Sequence, residues 1–183
     1  MRKFLIVFML LAFPALAQPR ADPAKSDLEQ LLVALALAPT AEVAARMEGR
    51  IAQLWVRAGG PAAGLLMTRG ARSLSAGDGL EAIQDFDAAL ALEPNLTDAF
   101  GRRAMARYHE GDIPGALRDL EETLRREPRH FGAWRSLSSL AEAQGNFPSA
   151  LAAWKKLLEI DPKTSGAQAR LKELTKKVEG EDS

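Results

Sequence analysis

The sequence has no cysteine, two histidines and one tyrosine in 183 residues, and its 24 basic and 24 acidic side chains cancel. Without cysteine there is no disulfide, no thiolate nucleophile and nothing to complete a zinc set around His109 and His130, which lie far apart with no H-E-x-x-H spacing. Both histidines read as surface side chains, and no metal or cofactor is expected. Without a positive excess there is no electrostatic footprint for nucleic acid or anionic lipid. The arginines between residues 97 and 130 are matched there by as many acidic groups, which makes a mixed-charge surface. No G-x-S-x-G elbow and no nucleophile beside a base appears, so an enzyme is not expected. Long hydrophobic runs are missing too: the longest, Phe4 to Phe13, is well short of the ~18 residues that a membrane-spanning helix needs.

That short run has a different meaning. Arg2 and Lys3 precede it, Pro14 breaks it and Ala15-Leu16-Ala17 follows, the basic start, apolar centre and A-x-A site of a secretory signal peptide. Residues 1–17 are expected to be removed after Ala17, leaving a periplasmic chain that starts at Gln18, with a slight acidic excess and no stable membrane insertion. Residues 18–25, with Pro19 and Pro23, read as a flexible leader.

What the chain has in abundance is repetition. Pro94, Pro128 and Pro162 share a 34-residue period with Gly77, Gly111 and Gly145, and with Ala82, Ala116 and Ala150. Leu66, Phe100 and Trp134 keep the same step, as do Phe86, Leu120 and Trp154, and the small residues Gly70, Ala104 and Ser138. Three units, 63–96, 97–130 and 131–164, each predict a helix, a Gly-Asp or Gly-Asn turn and a second helix that starts on a polar cap. Such units cannot bury their apolar faces alone and stack on one another. Trp134 and Trp154 should face each other in the last hairpin. Arg69, Arg103 and Leu137 change in step with Asp85, Asp119 and Ala153, predicting a charge pair between the two helices of the first two units.

Around the array, residues 26–61 predict a further helical hairpin. Ser26-Asp27-Leu28-Glu29 reads as the capping box of its first helix and Thr40 as the cap of its second, whose apolar face runs through Val43, Met47, Ile51, Leu54 and Trp55. This pair is expected to cover the open end of the first unit. Residues 165–178 predict a solubilising helix at the other end, and 179–183 a frayed tail. Gly77-Asp78-Gly79-Leu80-Glu81-Ala82 matches a dinucleotide fingerprint, but follows a helical pattern where that chemistry needs a strand.

The large, small, alanine, aromatic and closing-proline positions resemble the tetratricopeptide repeat. The resemblance implies an all-α, right-handed solenoid and a function in binding protein or peptide on the concave face formed by the first helices. Within the family, arrays that clamp a partner's terminal carboxylate do so at places that here hold Met67, Ala71, Arg102, Gly132 and Ser136, so that clamp is absent. The concave wall implied by the family's register carries Met67, Leu74, Met105, Tyr108 and Arg135, with Arg102 and His109 beside them and a small floor at Ala71 and Gly101. Met67, Leu74 and Met105 could equally pack between units. The two functions that follow are a periplasmic adaptor, monomeric without its partner, and a structural component that self-associates.

Overall fold

The computed structural model describes residues 23–181, which form nine α-helices with no strand among them. The segment expected to be a signal peptide, residues 1–17, and residues 18–22 of the expected leader lie outside the described residues. No described helix is long and apolar enough to cross a membrane. Three hairpins make the array: α3 (Gly60–Ser75) with α4 (Gly79–Leu92), α5 (Thr97–His109) with α6 (Ile113–Arg126), and α7 (Phe131–Ala143) with α8 (Phe147–Ile160). They are preceded by α1 (Pro23–Ala36) and α2 (Ala41–Arg57) and followed by α9 (Ala167–Glu181).

The hairpin turns follow from the repeated glycine and its polar successor. Gly77, Gly111 and Gly145 adopt φ of +86°, +80° and +75°, a region costly for other residues. The side chain that follows then caps the next helix: Asp78 accepts from the Glu81 N–H at 3.0 Å, Asp112 from Gly115 at 2.9 Å and Asn146 from Ser149 at 3.1 Å. Within a hairpin the small residues set the approach. A Cβ on Gly70 would stand 2.8 Å from the Phe86 ring, while Ser138 occupies the matching place in the third unit by donating to the Ala150 carbonyl at 2.9 Å. Ala82, Ala116 and Ala150 are fully buried, and Phe86, Leu120 and Trp154 fill the remaining space. Trp134 does not match its partner. Its indole needs an acceptor, which it finds in the Pro128 carbonyl at 2.8 Å, and this leaves the ring only partly buried.

Both charge columns become ion pairs. Arg69 Nε donates to both Asp85 oxygens at 2.8–2.9 Å, and Arg103 donates to Asp119 at 2.6 and 2.8 Å. Asp119 also receives Arg107 at 2.9 Å. Asp119→Ala, which strips a buried carboxylate from two guanidinium groups, is expected to cost about 2 kcal/mol. Asp85→Ala should cost less, because Arg69 lies mostly in water. Paired urea melts of the two variants check the order.

The ends differ from the sequence reading. Helix α1 begins at Pro23, because proline is well suited to a first helical turn, so 23–25 are not leader. Ser26 lies within the helix and accepts from Gln30 Nε2 at 3.3 Å instead of capping it. Thr40 does cap α2, accepting from the Val43 N–H. Residues 179–181 continue α9 instead of fraying. That helix closes the far end of the array with Leu174 fully buried, and Lys177 and Arg170 both pair with Glu142 of α7.

The largest departure is the place of the N-terminal hairpin. It does not merely cover the first unit: one core cluster joins Leu32, Leu35, Ile51 and Trp55 to Phe131, Trp154, Leu157 and Leu174, at the opposite end of the array. The reason is a stripe on α2 at helical spacing, Ala44, Ile51 and Trp55, too long to be buried by the single helix α3 and matched by the row of helix starts at α5 and α7.

Candidate protein-interaction groove

Helix α3 touches α5 and α5 touches α7, whereas α4, α6 and α8 do not meet one another. The first helices therefore form the inner, concave wall and the second helices splay outward. Helix α2 crosses that wall over the first turns of α5 and α7 and divides it into a covered half and an open half.

The open half is a cavity of about 400 Å³ at the C-terminal turns of α3, α5 and α7. Leu74, Met105, Tyr108, His109 and Arg135 meet there, although they come from three repeats. Met105 and Tyr108 are among the chain's exposed large apolar side chains, at 49% and 39% exposure. Arg135 is held rather than free: its Nη2 donates to Glu48 of α2 at 2.8 Å and to Thr164 Oγ1 at 2.7 Å, and its guanidinium lies over the Phe131 ring. Two of the residues assigned to the wall lie elsewhere. Met67 is 1% exposed, packed with Ala63, Phe86 and Ala99, because α3 turns this position toward its neighbours. Arg102 turns toward α2 and donates to Asp98 at 2.6 Å.

Under α2 the wall carries a polar cluster that sequence reading missed. His130, expected at the surface, is 5% exposed and caps α7, its Nδ1 accepting from the Ala133 N–H at 3.1 Å. That bond fixes the neutral ring's proton on Nε2, which stands 3.4 Å from Asp98. Burial works against the Asp98 charge, but the nearby His130 ring and the Arg102 guanidinium outweigh it and hold the carboxyl below the ordinary range. Trp55 of α2 stacks on His130 with ring centroids 4.1 Å apart and 9° between planes, and leans on Phe131 at 5.2 Å. Two turns back along α2 from Trp55, Glu48 meets Arg135, Thr164 and Asp161. The signal for this cluster is departure from the repeat. Asp98 stands where the other units have Gly64 and Gly132, His130 where the preceding unit has Leu96, and Arg135 where they have Met67 and Gly101.

No described group of histidine and acidic side chains has the arrangement of a metal site. Nor does the dinucleotide-like segment bind as one, since Gly77 ends α3 and Asp78 caps α4.

Comparison with known proteins places this architecture. Residues 102–165 match the tetratricopeptide repeat family model. A comparison with curated proteins finds no match. Among solved structures, the fold is similar to the first TPR domain of human RPAP3 (18% identity, TM-score 0.61, covering 66% of this chain and 94% of that one). It is also similar to the Sgt2 TPR domain from Aspergillus fumigatus (22%, 0.61, covering 67% and 82%). A further similar structure is the first TPR of Spaghetti (RPAP3) bound to the HSP90 peptide SRMEEVD (18%, 0.59, covering 63% and 92%). Repeat period, turn chemistry, stacked hairpins and these likenesses agree on an all-α helical solenoid of the tetratricopeptide-repeat kind, whose residues 102–165 match the family model.

Proposed function

We propose that the protein is a non-enzymatic adaptor that binds a segment of another protein in the open half of its concave face. The observation that carries this reading is the convergence of Leu74 from the first repeat with Met105, Tyr108 and His109 from the second on one cavity of about 400 Å³. Methionine adapts to ligands of varied shape, and an exposed tyrosine supplies contact area with few torsions to freeze. The similar structure that holds an HSP90 peptide supports peptide binding as the mode. The partner differs in kind, because Met67, Ala71, Gly132 and Ser136 carry no charge at the clamp's places and Arg102, the remaining one, is paired with Asp98. The pattern of residues 1–17 supports export to the periplasm, with the mature chain starting at Gln18.

A photoreactive residue in place of Tyr108 is expected to cross-link a discrete partner in intact cells, while the same residue at Arg118, exposed on α6, captures none. Mass spectrometry of the recovered chain should give Gln18 as its first residue. Equal capture from both positions, or none at Tyr108, would remove the groove from consideration.

A further inference from the structure

The covered half of the wall is shaped around a helix. On α2, Ala44, Glu48, Ile51 and Trp55 form one stripe, with a carboxylate set between apolar side chains. Two of the four have named receiving groups on the array: the stacked His130 and the tilted Phe131 ring for Trp55, and Arg135 with Thr164 for Glu48. A charge in the middle of an apolar stripe is costly to bury unless its partner is in place, so such a pairing selects which helix can lie here.

The fit of α2 itself is loose. A cleft of about 620 Å³ runs between α2 and α3, lined by Gln53, Val56 and Arg57 on one side and Leu65, Thr68 and Ala71 on the other. A second space of about 160 Å³ lies beneath Ala52 and Trp55, against Gly101, Met105 and Ser136. By contrast, within the hairpin of α3 and α4 a single added Cβ would collide. Along the chain, the hairpin of α1 and α2 is linked to α3 only by Ala58, Gly59 and Gly60, and Gly60 already has φ of +73°. Its outer tether, Glu29 to Arg129, is half exposed on both sides.

We propose that the covered half of the groove is a docking site for an amphipathic helix of the partner protein, one that carries a carboxylate between apolar residues as α2 does, and that α2 is the chain's own occupant, displaced when the partner binds. The proposal rests on the adaptor reading and specifies the partner's chemistry: two large apolar residues one turn apart, and an acidic residue about one turn before the first. Binding is helix-in-groove, with α2 lowering the apparent affinity until it is released.

The test uses the mature chain and a fluorescein-labelled peptide of residues 40–58, read by anisotropy. Ile51→Glu in the chain, which releases α2, is expected to raise peptide affinity at least tenfold over wild type, and the peptide carrying Glu48→Lys should lose that gain. Glu48→Arg in the chain provides a second route to release should Ile51→Glu unfold it, as circular dichroism will show. Equal affinity for wild type and a folded released variant would overturn the proposal. So would a wild-type dimer in sedimentation that the peptide dissolves, because the occupant would then be a second copy. Cross-linking at Tyr108 reads the open half independently: partner capture there without peptide binding ends this proposal and leaves the adaptor reading standing. Peptide binding without that capture removes the open half as a site and leaves the covered half as the adaptor's docking surface.

Discussion

Trp154→Ala is expected to destabilise the protein by about 3–5 kcal/mol, in the range found for deleting a large aromatic from a packed core. The side chain is 6% exposed and its Nε1–H donates to the Ala167 carbonyl at 3.1 Å, so that one residue ties α8 to the start of α9. Arg170 of α9 lies over the ring at 6.0 Å. The same indole belongs to the cluster that holds Ile51 and Trp55, so its loss loosens the terminal hairpin and the closing helix together. Trp134, the residue at the facing repeat position, keeps part of its ring in water and should cost about half as much when truncated. Urea denaturation followed by circular dichroism compares the two variants. Equal losses would mean that Trp154 is not the junction described here.

The array was legible because its constraints are local and repeated three times. A glycine such as Gly111 declares a left-handed turn, Asp112 after it declares a cap, and Ala116 against Ala104 declares a close approach. The pairing of Arg103 with Asp119 was readable for the same reason: the two columns lie opposite each other in a hairpin, and both change in the third unit. The landing place of α2 was not readable. Its stripe of Ala44, Ile51 and Trp55 says that a face must be buried but does not say against what, since burial is non-directional and α3, the nearest helix, is only one candidate surface. The complementary half of the information sits in Asp98, His130 and Arg135, about 40 to 90 residues away along the chain. Each looks like an ordinary polar residue until compared with its own repeat column. His130 in particular replaces a leucine at a helix start, and there it both caps α7 and provides the flat surface on which Trp55 stacks. Met67 misled in the other direction. Its register put it on the wall, but the first unit has α2 on one side and α5 on the other, and between them the side chain is sealed.

Stability should fall as pH rises from about 5 to 8, opposite to the trend that buried, ion-paired carboxylates impose at lower pH. Asp161 is fully buried at the C-terminal end of α8, where the helix dipole already disfavours a negative charge. One of its oxygens accepts weakly from the Lys163 N–H at 3.3 Å, and the other is buried with no donor bonded to it and the Glu48 carboxylate as its neighbour. Burial, with the neighbouring Glu48 carboxylate of α2 adding to it, pushes the Asp161 carboxyl up to about 7, against the smaller opposing effects of the Lys163 N–H and Arg135. Arg135 serves Glu48 instead, which stays below the ordinary value despite its own burial. The folded chain thus keeps on Asp161 a proton that the unfolded chain releases near pH 4. The contribution of this group is complete below about pH 4 and is lost as pH rises through about 7. Glu48, Asp98, Glu122 and Glu142 are all held low, so their contributions vanish only below the ordinary carboxylate range and do not mask this window. Asp161→Asn keeps the acceptor for Lys163 and supplies a neutral amide to Glu48, so its urea midpoint should stay level between pH 5.5 and 8 while that of the wild type declines. Parallel midpoints for the two proteins across that range would show that Asp161 ionises freely in the fold and that no proton holds α2 to the groove.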